Sequence, residues 1–279
     1  MSTRINHNIL SMTAQRNIQQ TQNSLDQAVN RLSSGLRINN AWEDPAGLAI
    51  SERFRGQIAS MDEAERNANY NVNMLETGEG ALGVIDEKLT RMRALAVEAA
   101  NGGLKSEDRT VLNTEFTALR SEITRIANVT NYNGLNLLDG TYSSASITFQ
   151  IGTGTTSGND FYTVNIGNMT ASALGLEASG VDLTTTTNAR AAIDALDVAI
   201  GSKDTQRTQL GSYVERLQNT IINLQISNEN ATKSESQIRD ADIAKEMSNF
   251  TRAQILMQSG VSMLAQANQV PSVVSQLIG

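Results

Sequence analysis

The sequence predicts a mainly α protein: an elongated antiparallel coiled-coil and helical-bundle rod with a small β-hairpin lobe. Three observations predict it. Apolar residues recur at seven-residue intervals near both ends of the chain and in its middle, the mark of helices that pack side by side. Only two prolines, Pro45 and Pro271, occur in 279 residues, so nothing breaks the helical stretches between them. The period drops to two in one place, between Ser146 and Ile166, where a pair of strands is expected.

The first helix carries Ile18, Leu25 and Leu32, seven apart. Asp44 before Pro45 reads as an N-cap followed by proline at the first helical position, which starts a second helix through Ile50 and Phe54. Its seam is Leu75, Leu82, Leu89 and Ala96, with Ile85, Met92 and Ala99 as the partner row, and Asn101-Gly102-Gly103 ends it. A third helix is predicted from Ser106 as N-cap, with Arg109 where a capping box would place Glu. Its rows are Leu112, Leu119, Ile126 and Phe116, Ile123, closed by Asn131-Tyr132-Asn133-Gly134. Ile147, Phe149 and Ile151 then alternate, as do Tyr162, Val164 and Ile166, around a Gly/Thr/Ser turn at 152–160. After a polar loop at 184–187 the helical period resumes over about 188–234, with Leu210, Leu217 and Leu224 beside Val214 and Ile221. The last seam is Ile243, Phe250, Met257 and Leu264, with Met247 and Val261 between. Asp240 and Asp242 precede it, where a helix dipole favours anions.

This order is nearly a palindrome. The simplest closure pairs the outermost helices with each other and the inner ones with each other. Residues 1–43 and 236–279 are then a terminal coiled-coil domain. Residues 44–140 and 189–235 form a helical middle domain, and 141–188 its hairpin and loop lobe. Trp42 is expected to anchor the joint between the two domains.

The two ends are unusual in charge. Residues 253–279 contain no charged side chain, and between Ile5 and Leu25 only Arg16 is charged. An exposed helix normally wears charge on its wet face. Gln254, Gln258, Ser259, Ser262, Gln266, Asn268 and Gln269 interrupt the apolar runs, so no membrane insertion is expected. Two neutral amphipathic ends point to a subunit of an assembly. They are expected to be largely disordered in the isolated chain and to fold as copies associate.

Little else in the sequence suggests chemistry. A net charge of −7 argues against nucleic acid as a partner. With no cysteine and one histidine, His7, there is no zinc cluster and no second histidine to serve a nucleophile. No metal, cofactor or catalytic residue is expected. Gly78, Gly80 and Gly83 lie inside a helical seam and follow no strand, so close helix packing is expected of them rather than a phosphate cradle. Glu43, Asp44, Asp62, Glu63 and Glu65 have the spacing of solvated helix faces. The opening MSTRINHNILSM has no basic and apolar regions of a secretory leader.

Several blocks resemble bacterial flagellins. RLSSGLRINNAWEDPAGLAISERF at 31–54 looks like their N-terminal block, and LTRMRALAVEAANG at 89–102 resembles their LxRxRxLAVxxANG pattern. NYNGLNLLDG at 131–140 is similar to their FNGxxLL turn; TKSESQIRDADIAKEM at 232–247 and SMLAQANQVP at 262–271 resemble their C-terminal blocks. The resemblance covers the chain outside about 141–188 and implies a short form without large outer domains. It implies a subunit exported through the flagellar type III channel to the cell exterior without a cleaved signal peptide, and polymerised under a filament cap into the propeller filament used for motility. Implied partners are further copies of the chain, an export chaperone at the C-terminal helix, and the cap and hook-junction proteins. The resemblance also places the residues read by the vertebrate Toll-like receptor for flagellin at Arg91, Leu95 and Glu115, although Thr90, Met92 and Ala94 depart from its strongest form. The implied polymerisation seam is Ile18, Leu25, Leu32, Ile243, Met247, Phe250, Met257, Val261 and Leu264. A hook–filament junction protein of the same superfamily and a coiled-coil binding scaffold are the competing readings. The scaffold predicts charged helix ends, which this chain lacks.

Overall fold

A computed structural model describes residues 7–278, with the side chains of 270–278 excepted. The expectation about a leader concerns residues 1–12, of which 1–6 lie outside the described residues. The elements are α1 (Ile9–Ser34), α2 (Pro45–Ala99), α3 (Ser106–Val129), β1 (Asn131–Tyr132), β2 (Leu135–Asn136), α4 (Thr141–Ser144), β3 (Ile147–Gln150), β4 (Phe161–Val164), α5 (Thr186–Arg239) and α6 (Ile243–Ile278). The chain is mainly α with a small β lobe, as the heptad rows predict. Two compact units divide it: one takes residues up to Ile58 and from Glu229, the other Ala59–Asn228. Both boundaries fall inside the long helices α2 and α5.

The unit Ala59–Asn228 holds the large core. Leu75, Leu82, Leu89, Ala96, Ile85, Met92 and Ala99 are all fully buried, together with Phe116 and Ile123 of α3 and Leu210 and Leu217 of α5. Helices α2 and α5 run antiparallel in a register that a ladder of polar pairs records. Arg93 Nε donates to Asp197 at 2.7 Å, Arg207 pairs with Glu79, and Gln225 donates to Glu65 at 2.7 Å. Lys203 is only 2% exposed, with its ammonium 2.5 Å from Asp86 and 2.7 Å from Asp204. Burial pulls its pKa down, but the hydrogen bonds to Asp204 and Asp86 outweigh that and leave it raised.

Helix ends follow local chemistry. Asp44 Oδ1 accepts from Gly47 N at 2.8 Å and caps α2 as expected, and Asp242 Oδ1 caps α6 through Lys245 N at 3.1 Å. The start of α3 is corrected: Lys105 is the N-cap, and Asp108 accepts from the Lys105 backbone N–H at 3.2 Å. Arg109 instead reaches back to α2, donating to Ala99 O at 2.9 Å and Asn101 O at 2.8 Å. Its guanidinium thus caps the orphan carbonyls of that helix. Close packing is corrected for two of the three seam glycines Gly78, Gly80 and Gly83. A Cβ on Gly80 or Gly83 would meet nothing within 4 Å, and one on Gly78 would meet only ordinary contacts.

The hairpin β3–β4 is antiparallel with Phe149 opposite Tyr162 and Ile147 opposite Val164. Phe149, Tyr162 and Val164 are buried while Thr148, Gln150 and Thr163 are exposed, which is the predicted alternation. Tyr162 stacks on Tyr213 of α5, and the Arg216 guanidinium lies 4.2 Å from its ring centroid. Asn133 and Gly134 turn β1 into β2 with φ of 49° and 82°, the twist a two-residue hairpin needs. Between β4 and α5, the irregular segment carrying Ile166, Met169, Leu174, Leu176 and Leu183 is buried. Its backbone is tied to α3: Leu183 N donates to Asn113 Oδ1 at 2.9 Å, and Leu176 O accepts from Arg120.

Candidate functional site

The unit formed by the two ends of the chain is built differently. α1 and α6 pack antiparallel, their ends tied by Asn8 Nδ2 donating to Ala267 O and Ser11 Oγ to Asn268 Oδ1, both at 2.8 Å. At the other end of the pair, Arg31 bonds Glu246 at 3.4 Å. The loop after α1 is stitched to the loop before α6: Ala241 N donates to Gly35 O at 2.9 Å, and Leu36 bridges Asp240. Gly35 takes φ 71°, so α1 ends in a left-handed cap. Glu52 lies beside Arg239 at 2.7 Å, and the hydrogen bonds from Arg239 and Arg55 hold its pKa below the usual carboxylate value.

What α6 buries is a row of small residues. Ala253, Gly260 and Ala267, seven apart and in phase with Glu246, face α1. A Cβ on Gly260 would sit 2.9 Å from Ile18 Cγ1, so the two backbones approach more closely there than a side chain at 260 allows. On α1 the matching buried residue is Ala28.

The predicted seam therefore divides. Ile18, Leu25, Leu32, Phe250, Met257 and Leu264 are half-buried along the α1–α6 contact. Ile243, Met247 and Val261, the other members of the expected polymerisation seam, are exposed, Val261 at 54%. The small row brings α1 over one side of α6, which turns those three residues outward. Ile255, Leu256 and Met263 join them, and Ile9, Leu10 and Met12 are exposed on α1. These residues flank the small row on both sides and are exposed among the described residues, with Arg252 between them. The small row was the signal that seven-residue apolar counting passed over, because alanine and glycine score weakly as core.

A second cluster lies on the other unit. Arg91 Nε bonds Glu115 Oε1 at 2.8 Å across α2 and α3, with both side chains about half exposed. The Glu115 hydrogen bond raises the Arg91 pKa. Leu95 is corrected as a surface contact: at 1% exposed, it belongs to the core beneath this pair. Trp42 is corrected too, since at 74% exposed it is not packed as an anchor among the described residues.

Among the described residues no group of His, Cys, Asp and Glu could hold a metal ion, and no helix is long and apolar enough to cross a membrane.

The model for the bacterial flagellin N-terminal helical region matches residues 5–143, and that for the C-terminal helical region matches 193–278. The flagellin of Halalkalibacterium halodurans is 43% identical over 98% of this chain and 99% of its own length. The flagellar filament 33 kDa core protein of Treponema phagedenis is 40% identical, over 98% and 99%. A flagellar hook-associated protein of Vibrio parahaemolyticus shares the fold alone, with TM-score 0.58 at 18% identity over 71% of this chain and all of that one. With both terminal regions matched and relatives aligned over nearly its whole length, the chain belongs to the bacterial flagellins.

Proposed function

We propose that this chain is a structural subunit that polymerises into the extracellular flagellar filament, the helical propeller of a motile bacterium. One observation carries the mechanism: the α1–α6 pair buries a row of small residues inside and turns large apolar residues outward. Those residues are exposed among the described residues, and the chain supplies little charge there to hold water. Other copies, meeting the same face with a different face of their own, form a heterologous contact that does not close, and such a contact grows as a helical fibre. Gln and Asn on these helices satisfy each other across copies without the desolvation cost of buried ions. Export through the flagellar channel without a cleaved leader, a chaperone on the exposed face of α6, and capture by cap and hook-junction proteins complete the reading.

Seeding the purified full-length protein and imaging it by negative stain tests the proposal. Filaments of uniform width are expected, and a chain lacking residues 243–279 is expected to form none while its middle unit stays folded. Soluble full-length monomer under every seeding condition would defeat it.

The exposed Arg91–Glu115 pair supports recognition by the flagellin-sensing Toll-like receptor, with Leu95 holding the surface from beneath. Replacing Arg91 by Ala is expected to lower receptor activation by monomer. Undiminished activation would leave the pair as an ordinary surface ion bridge.

A further inference from the structure

The chain holds two Asn-Gly pairs, Asn101-Gly102 and Asn133-Gly134, and the fold treats them oppositely. In this dipeptide the glycine amide can reach the preceding carboxamide with least hindrance, because no Cβ stands in the way. Asn101, Gly102 and Gly103 are all exposed, in the turn between α2 and α3. Asn101 Oδ1 accepts from Gly103 N at 3.1 Å, which polarises the carboxamide carbonyl. The Gly102 N–H, the would-be nucleophile, donates to nothing among the described residues. Asn133 is held otherwise. Its φ of 49° puts it in the left-handed basin, fixed by the pairs Asn131–Asn136 and Tyr132–Leu135. In that basin the following amide nitrogen lies across the Cα–C bond from Cβ, so ring closure requires the hairpin to open.

We propose that Asn101 is a site of spontaneous deamidation, and that the hairpin protects Asn133 from the same reaction. Solvent base takes the Gly102 amide proton, and the nitrogen attacks Asn101 Cγ. The Gly103 N–H steadies the oxyanion, as a preorganised donor does in acyl transfer. The Cγ–Nδ2 bond then breaks and ammonia leaves, giving a five-membered succinimide. Water opens that ring at Cγ to aspartate, or at the main-chain carbonyl to isoaspartate; asparagine plus water has become an acid plus ammonia. The Asn101 main-chain oxygen is the one that Arg109 Nη2 holds at 2.8 Å. Aspartate there places an anion at the C-terminal end of α2, where the dipole disfavours it, but beside the Arg109 cation. Isoaspartate lengthens the main chain and pulls that oxygen from its cap.

Full-length protein incubated at mildly alkaline pH, then digested and mapped by mass with separation of aspartyl from isoaspartyl peptides, tests this. Asn101 is expected to convert on the order of tenfold faster than Asn133, the penalty for opening backbone hydrogen bonds of the hairpin. In urea the two rates are expected to converge, and Gly102→Ala is expected to slow conversion at Asn101 alone. Equal rates in the folded protein, or a ratio that persists unchanged in urea, would overturn the proposal.

Discussion

Tyr162 shows how much one side chain settles in the β lobe. Its ring lies edge-on to Phe149 at 5.7 Å and stacked on Tyr213 at 6.2 Å, so it fastens the hairpin to α5. The same burial leaves its hydroxyl without a hydrogen-bond partner among the described residues and pushes its pKa up to about 12, with Arg216 opposing the shift. A raised pKa means that the folded state holds the proton more tightly than the unfolded chain. The associated stability is present in full below about pH 10, where free tyrosine titrates, and is lost as pH rises from there toward 12. That difference corresponds to about 2–3 kcal/mol. Phenylalanine keeps the stacking and removes the orphan hydroxyl. Tyr162→Phe is expected to raise stability at neutral pH by about 1 kcal/mol and to flatten the alkaline loss, measured by urea unfolding at pH 7 and pH 11. An unchanged alkaline limb would place the titrating group elsewhere.

At the scale of the element, glycine separates two kinds of helix. Gly80 of α2 faces open space, while Gly260 of α6 meets Ile18. Gly80→Ala is expected to stabilise by up to about 1 kcal/mol, the difference in helix propensity. Gly260→Val forces a branched side chain into a closed gap, at about 1–3 kcal/mol. The valine variant is therefore expected to lose filament formation while the middle unit unfolds at its original denaturant midpoint; normal filaments would show that α1 and α6 need no close approach. The contrast also explains what could be read beforehand. The rows of α2, α3 and α5 were legible because leucine and isoleucine repeat there around a core that the chain itself completes. In α6 the same counting picked Ile243, Met247 and Val261, which face outward. Periodicity reports which residues share a stripe, and a filament subunit has more than one stripe to cover. The packed segment around Leu174 and Leu183 has no period at all, since its backbone is satisfied by Asn113, Thr124 and Arg120 of α3. Leu95 was legible as a motif position, but a motif does not state exposure, and the core rows on either side of it place it inside.

At the scale of the whole molecule, the chain has one large core and one pair of helices with almost none. Nearly all fully buried large side chains lie between Ala59 and Asn228, whereas α1 and α6 bury chiefly alanine. Burying alanine contributes little of the ~25 cal/mol per Å² that drives folding, so the terminal pair is expected to draw further stability from contacts with other copies. Helicity is therefore expected to rise as subunits join. The loop at Trp42 gives an independent view of the same event. Trp42 is the chain's single tryptophan and stands 74% exposed in the loop between α1 and α2, within the terminal unit. An isolated indole so placed emits as in water, and a neighbouring copy that covered it would change that emission. Polymerisation is expected to shift its emission to shorter wavelength and to shield it from a soluble quencher, in step with the rise in light scattering. If scattering rises while emission and quenching stay as in the monomer, the loop remains in solvent, and the subunit contact is carried by the helix pair alone.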